Sequence, residues 1–393
     1  MWNAAARARQ IGYMGAVRLA LSVLILSIAW SALTPAARAD ESSGTVTGTV
    51  EVLGNYYWER STRVVAPSVA LTLEGPRGGY VQAGYLVDSI TSASQAAGVI
   101  EDVRFTEIRH QGNLGGGYEF DLGDMQLQLG LSGRVSREPD YLSIGGGFSA
   151  ALSLAQRTTI FRLNLGFVHD EVRRFTTTSD GRMESLTFGD RSFNALALAV
   201  SWEQILSPTT YIEVGYQYGH LDGYLANAYR QVRVASFFVD EEHPGTRRRH
   251  TGMAHLAHYV RKTRTGLHLF YRAYLDSWDI GAITPEVRVY QALARFAQVR
   301  VRYRYYRQTR SFFYEDEYEG TVDDHEFRTN DPKMSAFHSH LLGFQFGLQL
   351  AFLENTPLDA FRRAWLDFSF EYLWQTSRFG NAVIAQAGVR VPF

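Results

Sequence analysis

The sequence predicts an all-β chain: a transmembrane antiparallel up-and-down β-barrel of sixteen strands behind a cleaved N-terminal signal peptide. Three observations carry this. Apolar and aromatic residues alternate with polar ones through most of residues 45–393, the period of two that belongs to strands. No stretch after residue 39 approaches the roughly 20 apolar residues of a membrane helix. The links between alternating stretches sort, taken by turns, into a longer and a shorter set.

Arg7, Arg9 and Arg18 precede an apolar run over 19–30, and Ala37-Arg38-Ala39 places small residues where signal peptidase needs them. Residues 1–39 therefore read as a signal peptide cut near Ala39, and 40–393 as the mature barrel. A membrane anchor is the competing reading of the same run. Cleavage removes four arginines and no acid, moving the formal net charge from −1 to −5. That balance excludes a nucleic-acid-binding field. Zero cysteine excludes a disulfide scaffold, a thiolate metal site and a cysteine nucleophile. Lys262 and Lys333 are the only lysines, so nearly all basic charge is arginine.

The expected strands are 45–59, 64–74, 79–88, 103–120, 124–137, 141–155, 158–170, 190–206, 209–220, 247–261, 264–276, 282–295, 297–312, 335–353, 363–376 and 381–393. The clearest is 298–314, where Val299, Val301, Tyr303 and Tyr305 alternate with Arg300, Arg302 and Arg304. A soluble sandwich would leave the arginine face wet and bury the Val/Tyr face. A barrel in lipid turns the Val/Tyr face outward and the arginines into the lumen. Elsewhere Phe344, Phe346 and Leu348 oppose Gln345 and Gly347, and Phe368, Phe370 and Tyr372 oppose Asp367, Ser369 and Glu371. The doublet Tyr305-Tyr306 reads as a bulge or the outer rim. Tyr and Trp near strand ends, such as Trp58, Trp202, Tyr305 and Trp374, suit interfacial girdles.

With these ends, the longer links are 59–64, 88–103, 137–141, 170–190, 220–247, 276–282, 312–335 and 376–381, and the four longest all fall in that set. Bacterial barrels have short periplasmic turns, long external loops and an even strand count. The last strand ends on Phe393, the form of signal that barrel-assembly machinery reads.

The segments "LDGYLANAYRQVRV", "EEHPGTRRRH", "HLFYRAYLDSWDI", "VRYRYYRQTRSFFY" and "FRTNDPKMSAFHS" resemble one bacterial family, domain of unknown function 3570, and "YLVDSITSAS" is similar to its N-terminal signature. The similarity runs from about residue 45 to the end. Two departures are the missing glycine in "DSITSAS" and the residues after Gln308. The resemblance implies a Gram-negative outer-membrane barrel, with a periplasmic lipoprotein of a redox-related assembly as a partner.

Four groups are candidate sites. Arg162, Glu213, Arg272, Arg300, Arg302, Arg304, Asp367 and Glu371 share the inward face. They form either a structural charge network or an anion filter. Arg247, Arg248, Arg249 and His250 form a basic cluster at an outer strand end, which either pairs with acidic loops or binds lipopolysaccharide phosphate or an anionic solute, with Arg247 and Arg249 on one face and Arg248 on the other. The acidic run 315–326 reads as solvated charge rather than a calcium loop. His338 and His340 share a face and are the weak metal candidates. Asp88 and Ser94 read as residues that cap and turn an outer loop.

No catalytic residue and no cofactor is expected. The function expected is a porin-like passive channel or a ligand-binding barrel with an arginine-rich lumen, in which the loops at 220–247 or 312–335 fold in. A non-conducting scaffold for a periplasmic assembly is the alternative, and an outer-membrane hydrolase the third. Expected partners are outer-membrane lipid, lipopolysaccharide, the barrel-assembly machinery and the periplasmic lipoprotein, with no nucleic acid.

Overall fold

The computed structural model describes residues 46–60, 62–93, 104–139, 141–172, 175–177, 183–185, 191–227 and 230–393. The expected signal peptide and Ser94 lie outside them.

The barrel strands are β1 (Thr47–Glu59), β2 (Thr62–Glu74), β3 (Gly79–Ala93), β4 (Arg104–Asp121), β5 (Gln126–Arg137), β6 (Tyr141–Leu154) and β7 (Thr159–Val172). After two short strands, β8 (Phe175–Thr177) and β9 (Met183–Ser185), come β10 (Arg191–Ser207) and β11 (Thr210–Gly223). A second hairpin, β12 (Gln231–Val234) and β13 (Phe237–Asp240), precedes β14 (Thr246–Val260), β15 (Thr265–Asp276), β16 (Gly281–Ala292) and β17 (Ala297–Gln308). The last are β18 (Phe337–Gln349), β19 (Trp365–Gln375) and β20 (Ala382–Pro392). Sixteen of these pair antiparallel in chain order, and β1 on β20 closes the barrel. Closure leaves no sheet edge, the condition for strands to cross lipid. The seam runs to the last residue, where Gly48 N–H donates to Phe393 O at 2.8 Å and Phe393 N–H to Gly48 O at 2.9 Å.

Burial assigns the two faces. Val301 and Tyr303 are 44% and 42% exposed, whereas the Arg302 side chain between them is 17% exposed. The pattern repeats around the wall, with Leu114, Leu131, Phe167, Val200, Val214, Leu269, Phe344 and Phe370 all exposed. A band of that extent far exceeds the apolar patch a soluble monomer tolerates, so it faces lipid. The chain is a membrane-spanning barrel with apolar residues outside and charge inside.

The alternation at Tyr305-Tyr306 is unbroken. Tyr305 pairs with His340 and Tyr306 with Ser339 in register, so the doublet marks the rim and not a bulge. The β-bulge-like shift lies elsewhere, between Ile205 and Ser207.

The start of β1 and the end of β20 lie at the end with mostly short links. The opposite, outer end carries the three longest links, 173–190, 224–245 and 309–336. The expected fourth does not hold. Strand β3 runs on to Ala93 and shortens its outer link, while β18 stops at Gln349. The inner link 350–364 is therefore longer than 94–103, and it folds into two 3-10 turns, Ala351–Leu353 and Asp359–Phe361. In the tight inner turns Gly78 and Gly123 have φ of +85° and +82°, which glycine adopts without cost.

Candidate functional site

The strand register fixes which charged groups meet in the lumen. Arg302, Gly343 and Glu371 lie in one row across β17, β18 and β19. Arg302 reaches over the glycine to Glu371 at 3.0 Å. A Cβ at position 343 would stand 2.9 Å from Glu371 Oε1 and 3.0 Å from its Cγ, so the absent side chain makes room for the bridge. Arg302 also bonds Glu286 at 2.8 Å, Glu286 bonds Arg288, and Arg300 lies 3.5 Å from Glu371. The carboxylates of Glu286 and Glu371 are almost wholly buried by these arginines. A second cluster joins Arg162 to Glu203 at 2.8 Å and to Glu213 at 3.7 Å.

The expected network is thus present in part. Arg162, Glu213, Arg300, Arg302 and Glu371 take part. Asp367 does not, because the register places Gln345 beside it, whose amide donates to Asp367 at 3.0 Å. Arg272 and Arg304 also stay outside it. Glu286 is directly opposite Arg304, yet its carboxylate is taken by Arg302 and Arg288. Neither Arg272 nor Arg304 has a carboxylate within 4 Å among the described residues. Glu203, Glu286 and Arg288 were missed. The alternation of Glu286, Arg288 and Tyr290 was the available signal, interrupted by Pro285.

Beside the network an aromatic stack crosses β11 to β16. His255 stacks on Phe270 at 3.9 Å, shares a 2.9 Å hydrogen bond with His268, and meets Tyr211 edge-on at 5.2 Å. Arg288 lies over Phe270 at 4.5 Å. Along β14 to β19 seven lumen arginines (247, 249, 272, 288, 300, 302 and 304) face four acids (276, 286, 367 and 371). That wall is net positive.

At the outer mouth the basic cluster divides. Arg247 and Arg249 point inward, while Arg248 is exposed on the lipid-facing side, as is His250. Arg247 is held by Asp276 and lies 4.1 Å over the Trp278 ring. Arg249 has no bonded partner among the described residues, and its Nε is buried. Both line a cavity of about 360 Å³, walled by Tyr141, Val172, Phe193, Leu221, Tyr224, Trp278 and Met334. That size is at the small end of ligand pockets.

Two outer loops close over this cavity. The lumen-facing Gln308 amide donates to the carbonyls of Lys333 and Ser335 at 2.9 and 2.7 Å, pinning that segment against the inner wall. The lumen-facing Arg191 holds the Tyr224 hydroxyl at 2.8 Å. The loops pack on each other through a small core of Val232, Val234 and Tyr318, at most 4% exposed. Beneath it Glu241 is buried against Arg230 at 3.3 Å and accepts from Thr329 at 2.8 Å. Burial pushes the Tyr318 phenol up to about 12. The expectation that loops fold in holds, but their shared core had no sequence signal, since its members are scattered over 230–331.

The remaining candidates resolve simply. The acidic run is mostly exposed, Asp316 pairs with Arg378 at 2.8 Å, and Asp324 caps a turn by accepting from Thr321 N–H and Oγ1, which holds its carboxyl low. His338 and His340 face lipid, with His340 bonded to the Tyr303 hydroxyl at 2.8 Å. Among the described residues no three potential ligands gather as a metal site. Asp88 caps no loop; it lies in β3 and bonds Arg109 at 2.6 Å.

Fold and lumen define a membrane-spanning β-barrel with a charged interior. Residues 100–376 match the family model described as "Protein of unknown function (DUF3570)", and the chain belongs to that family. No curated protein matches the sequence. Among solved structures, the chain is similar to the siderophore receptor PirA from Acinetobacter baumannii at 9% identity and a TM-score of 0.45, over 85% of this chain and 53% of the receptor. It therefore spans about half of that receptor. It is similar to OccK2 (OpdF) from Pseudomonas aeruginosa at 10% identity and a TM-score of 0.37, over 88% and 97%. A bacterial polysaccharide outer membrane secretin gives 6% and 0.48, over 88% and 98%.

Proposed function

We propose that the chain is a passive outer-membrane channel for small anionic solutes, with the mouth cavity as its entry site. The supporting observation is the line of uncompensated arginines down one wall: Arg249 in the cavity, then Arg272 and Arg304, above the paired Arg300 and Arg302. Charged rings and rows set the preference of a pore. An anion leaving water would meet Arg249 first, between Trp278, Phe193 and Leu221, a lining suited to a carboxylate on a compact apolar body. The strand ending at Phe393 would serve the barrel-assembly machinery, which delivers such chains to the outer membrane.

Liposome swelling tests this with solutes of matched size. Small carboxylates should enter vesicles containing the refolded chain 40–393 faster than neutral sugars. The double variant Arg272→Glu/Arg304→Glu should reverse that order. Equal entry of both solute types through both proteins would refute the reading.

A further inference from the structure

The lipid-facing surface carries a basic belt at one end only. Besides Arg63, which lies opposite Trp58, three arginines there are exposed and have no ion-pair partner within 4 Å among the described residues: Arg137, Arg248 and Arg307. Each lies directly opposite a histidine on the neighbouring strand, as the pairs His110–Arg137, His220–Arg248 and His338–Arg307. Paired positions on an antiparallel ladder share a face, with Cα atoms about 4.5–5.5 Å apart. Below each pair the same face continues into exposed apolar residues: Val135, Tyr216 and Tyr303.

A tyrosine orients the pair's own imidazole at His110, and at the other two pairs it orients a second histidine two residues further along the strand. Tyr85 bonds His110 Nδ1 at 2.8 Å, Tyr216 bonds His250 Nδ1 at 2.7 Å, and Tyr303 bonds His340 Nδ1 at 2.8 Å. His250 and His340 sit two residues along the strand from Arg248 and His338, on the same face. With Nδ1 accepting the phenol proton, Nε2 carries the hydrogen and is left to donate outward. The acids on lipid-facing strand positions at this end are Glu171, 3.6 Å from His169, and the exposed Asp222, and Glu138 follows Arg137 in the chain. At the opposite end of the barrel the lipid-facing strand positions among the described residues carry no Arg, Lys, Asp or Glu, and their histidine, His258, is bonded to Thr210 at 2.8 Å.

We infer that these three Arg–His pairs are docking sites for the phosphate groups of outer-leaflet lipid. A guanidinium offers two parallel donors to a phosphate, and the imidazole adds a third from the facing strand. Location decides the source of the phosphate. The pairs stand on the outer wall at the top of the apolar band, so their ligand must bring acyl chains alongside Val135, Tyr216 and Tyr303. They are separated around the circumference, on β4–β5, β11–β14 and β17–β18, so three lipids can bind at once.

Native mass spectrometry of the refolded chain 40–393 in detergent tests this, with bisphosphorylated lipid A, its dephosphorylated form and inorganic phosphate as probes. The wild type should retain up to three phosphorylated lipids. The triple variant Arg137→Gln/Arg248→Gln/Arg307→Gln should bind each of them about fivefold more weakly, from the one surface charge lost at each site. Each single variant should lose one bound lipid, and Arg63→Gln, also exposed at this end but opposite Trp58, should lose none. Unchanged heat-modifiable migration would show that the variants remain folded barrels. Equal retention by wild type and triple variant, equal binding of the dephosphorylated lipid, or displacement of the lipid by millimolar inorganic phosphate would each overturn the proposal.

Discussion

Gly343 shows how one absent side chain sets the contents of the lumen. Gly343→Ala would place a methyl where Glu371 crosses to Arg302, and Glu371 lies too close on three atoms to yield by rotating its far end alone. The expected cost is about 1–3 kcal/mol of overpacking, read as a lower urea midpoint for the barrel in vesicles. An unchanged midpoint would mean that Glu371 is free to move. Removing a charge is harsher. Arg302→Met leaves Glu286 and Glu371 each with a single arginine neighbour, and breaking one partner of such a buried pair costs about 3–5 kcal/mol. Tyr318 makes the corresponding statement for the loops. Its hydroxyl donates to Phe313 O at 2.7 Å and accepts from Thr329 N–H at 2.6 Å. Tyr318→Phe strands those groups at about 1–3 kcal/mol and should speed amide exchange across 313–331. The phenol's raised value has a definite sign. Its stabilisation of the loops is complete below pH 10, where unfolded tyrosine stays neutral, and is lost as pH rises through about 12. Tyrosinate absorbance should show a late step near pH 12 in the wild type that the Phe variant lacks.

Strands and links differ in how much of themselves the chain declares. Strand β17 declares almost everything, because Val/Tyr and Arg alternate without interruption from Val299 to Tyr305 and the two faces need opposite solvents. All sixteen barrel strands were legible for the same reason. What each inward charge bonds was not, because it depends on register with strands far along the chain. Asp367 looked equivalent to Glu371, yet one meets Gln345 and the other Arg302. Glu286 was hidden behind Pro285, although it proved to be a hub. The loop core of Val232, Val234 and Tyr318 has no period at all, since its contacts join residues about eighty positions apart. Turns have their own signature. Ala155, Gln156 and Arg157 all take left-handed backbone, with φ of 50°, 57° and 64°. Side-chain-bearing residues meet that conformation at roughly 1–2 kcal/mol each, and Arg157 fastens the turn to Glu119 at 2.7 Å. Gln156→Gly should therefore raise the urea midpoint, by about 1 kcal/mol; a lower midpoint would assign Gln156 a contact that outweighs its backbone strain.

At the scale of the whole molecule the barrel is polarised in two directions. Around the circumference, arginine outnumbers acid on β14–β19, and along the axis the outer mouth holds the loops, the cavity and the Arg249 guanidinium without a bonded partner. The two polarities meet where Arg249, Arg272 and Arg304 follow one another inward, and that line is what an entering anion would sense. Reversal potential in a planar bilayer with a potassium chloride gradient reads it most directly. The refolded chain 40–393 should give discrete conductance steps whose reversal potential has the sign of chloride permeation, shifting toward potassium in Arg272→Glu/Arg304→Glu. Absence of steps above background, or a potassium-selective wild type, would contradict an anion-conducting lumen.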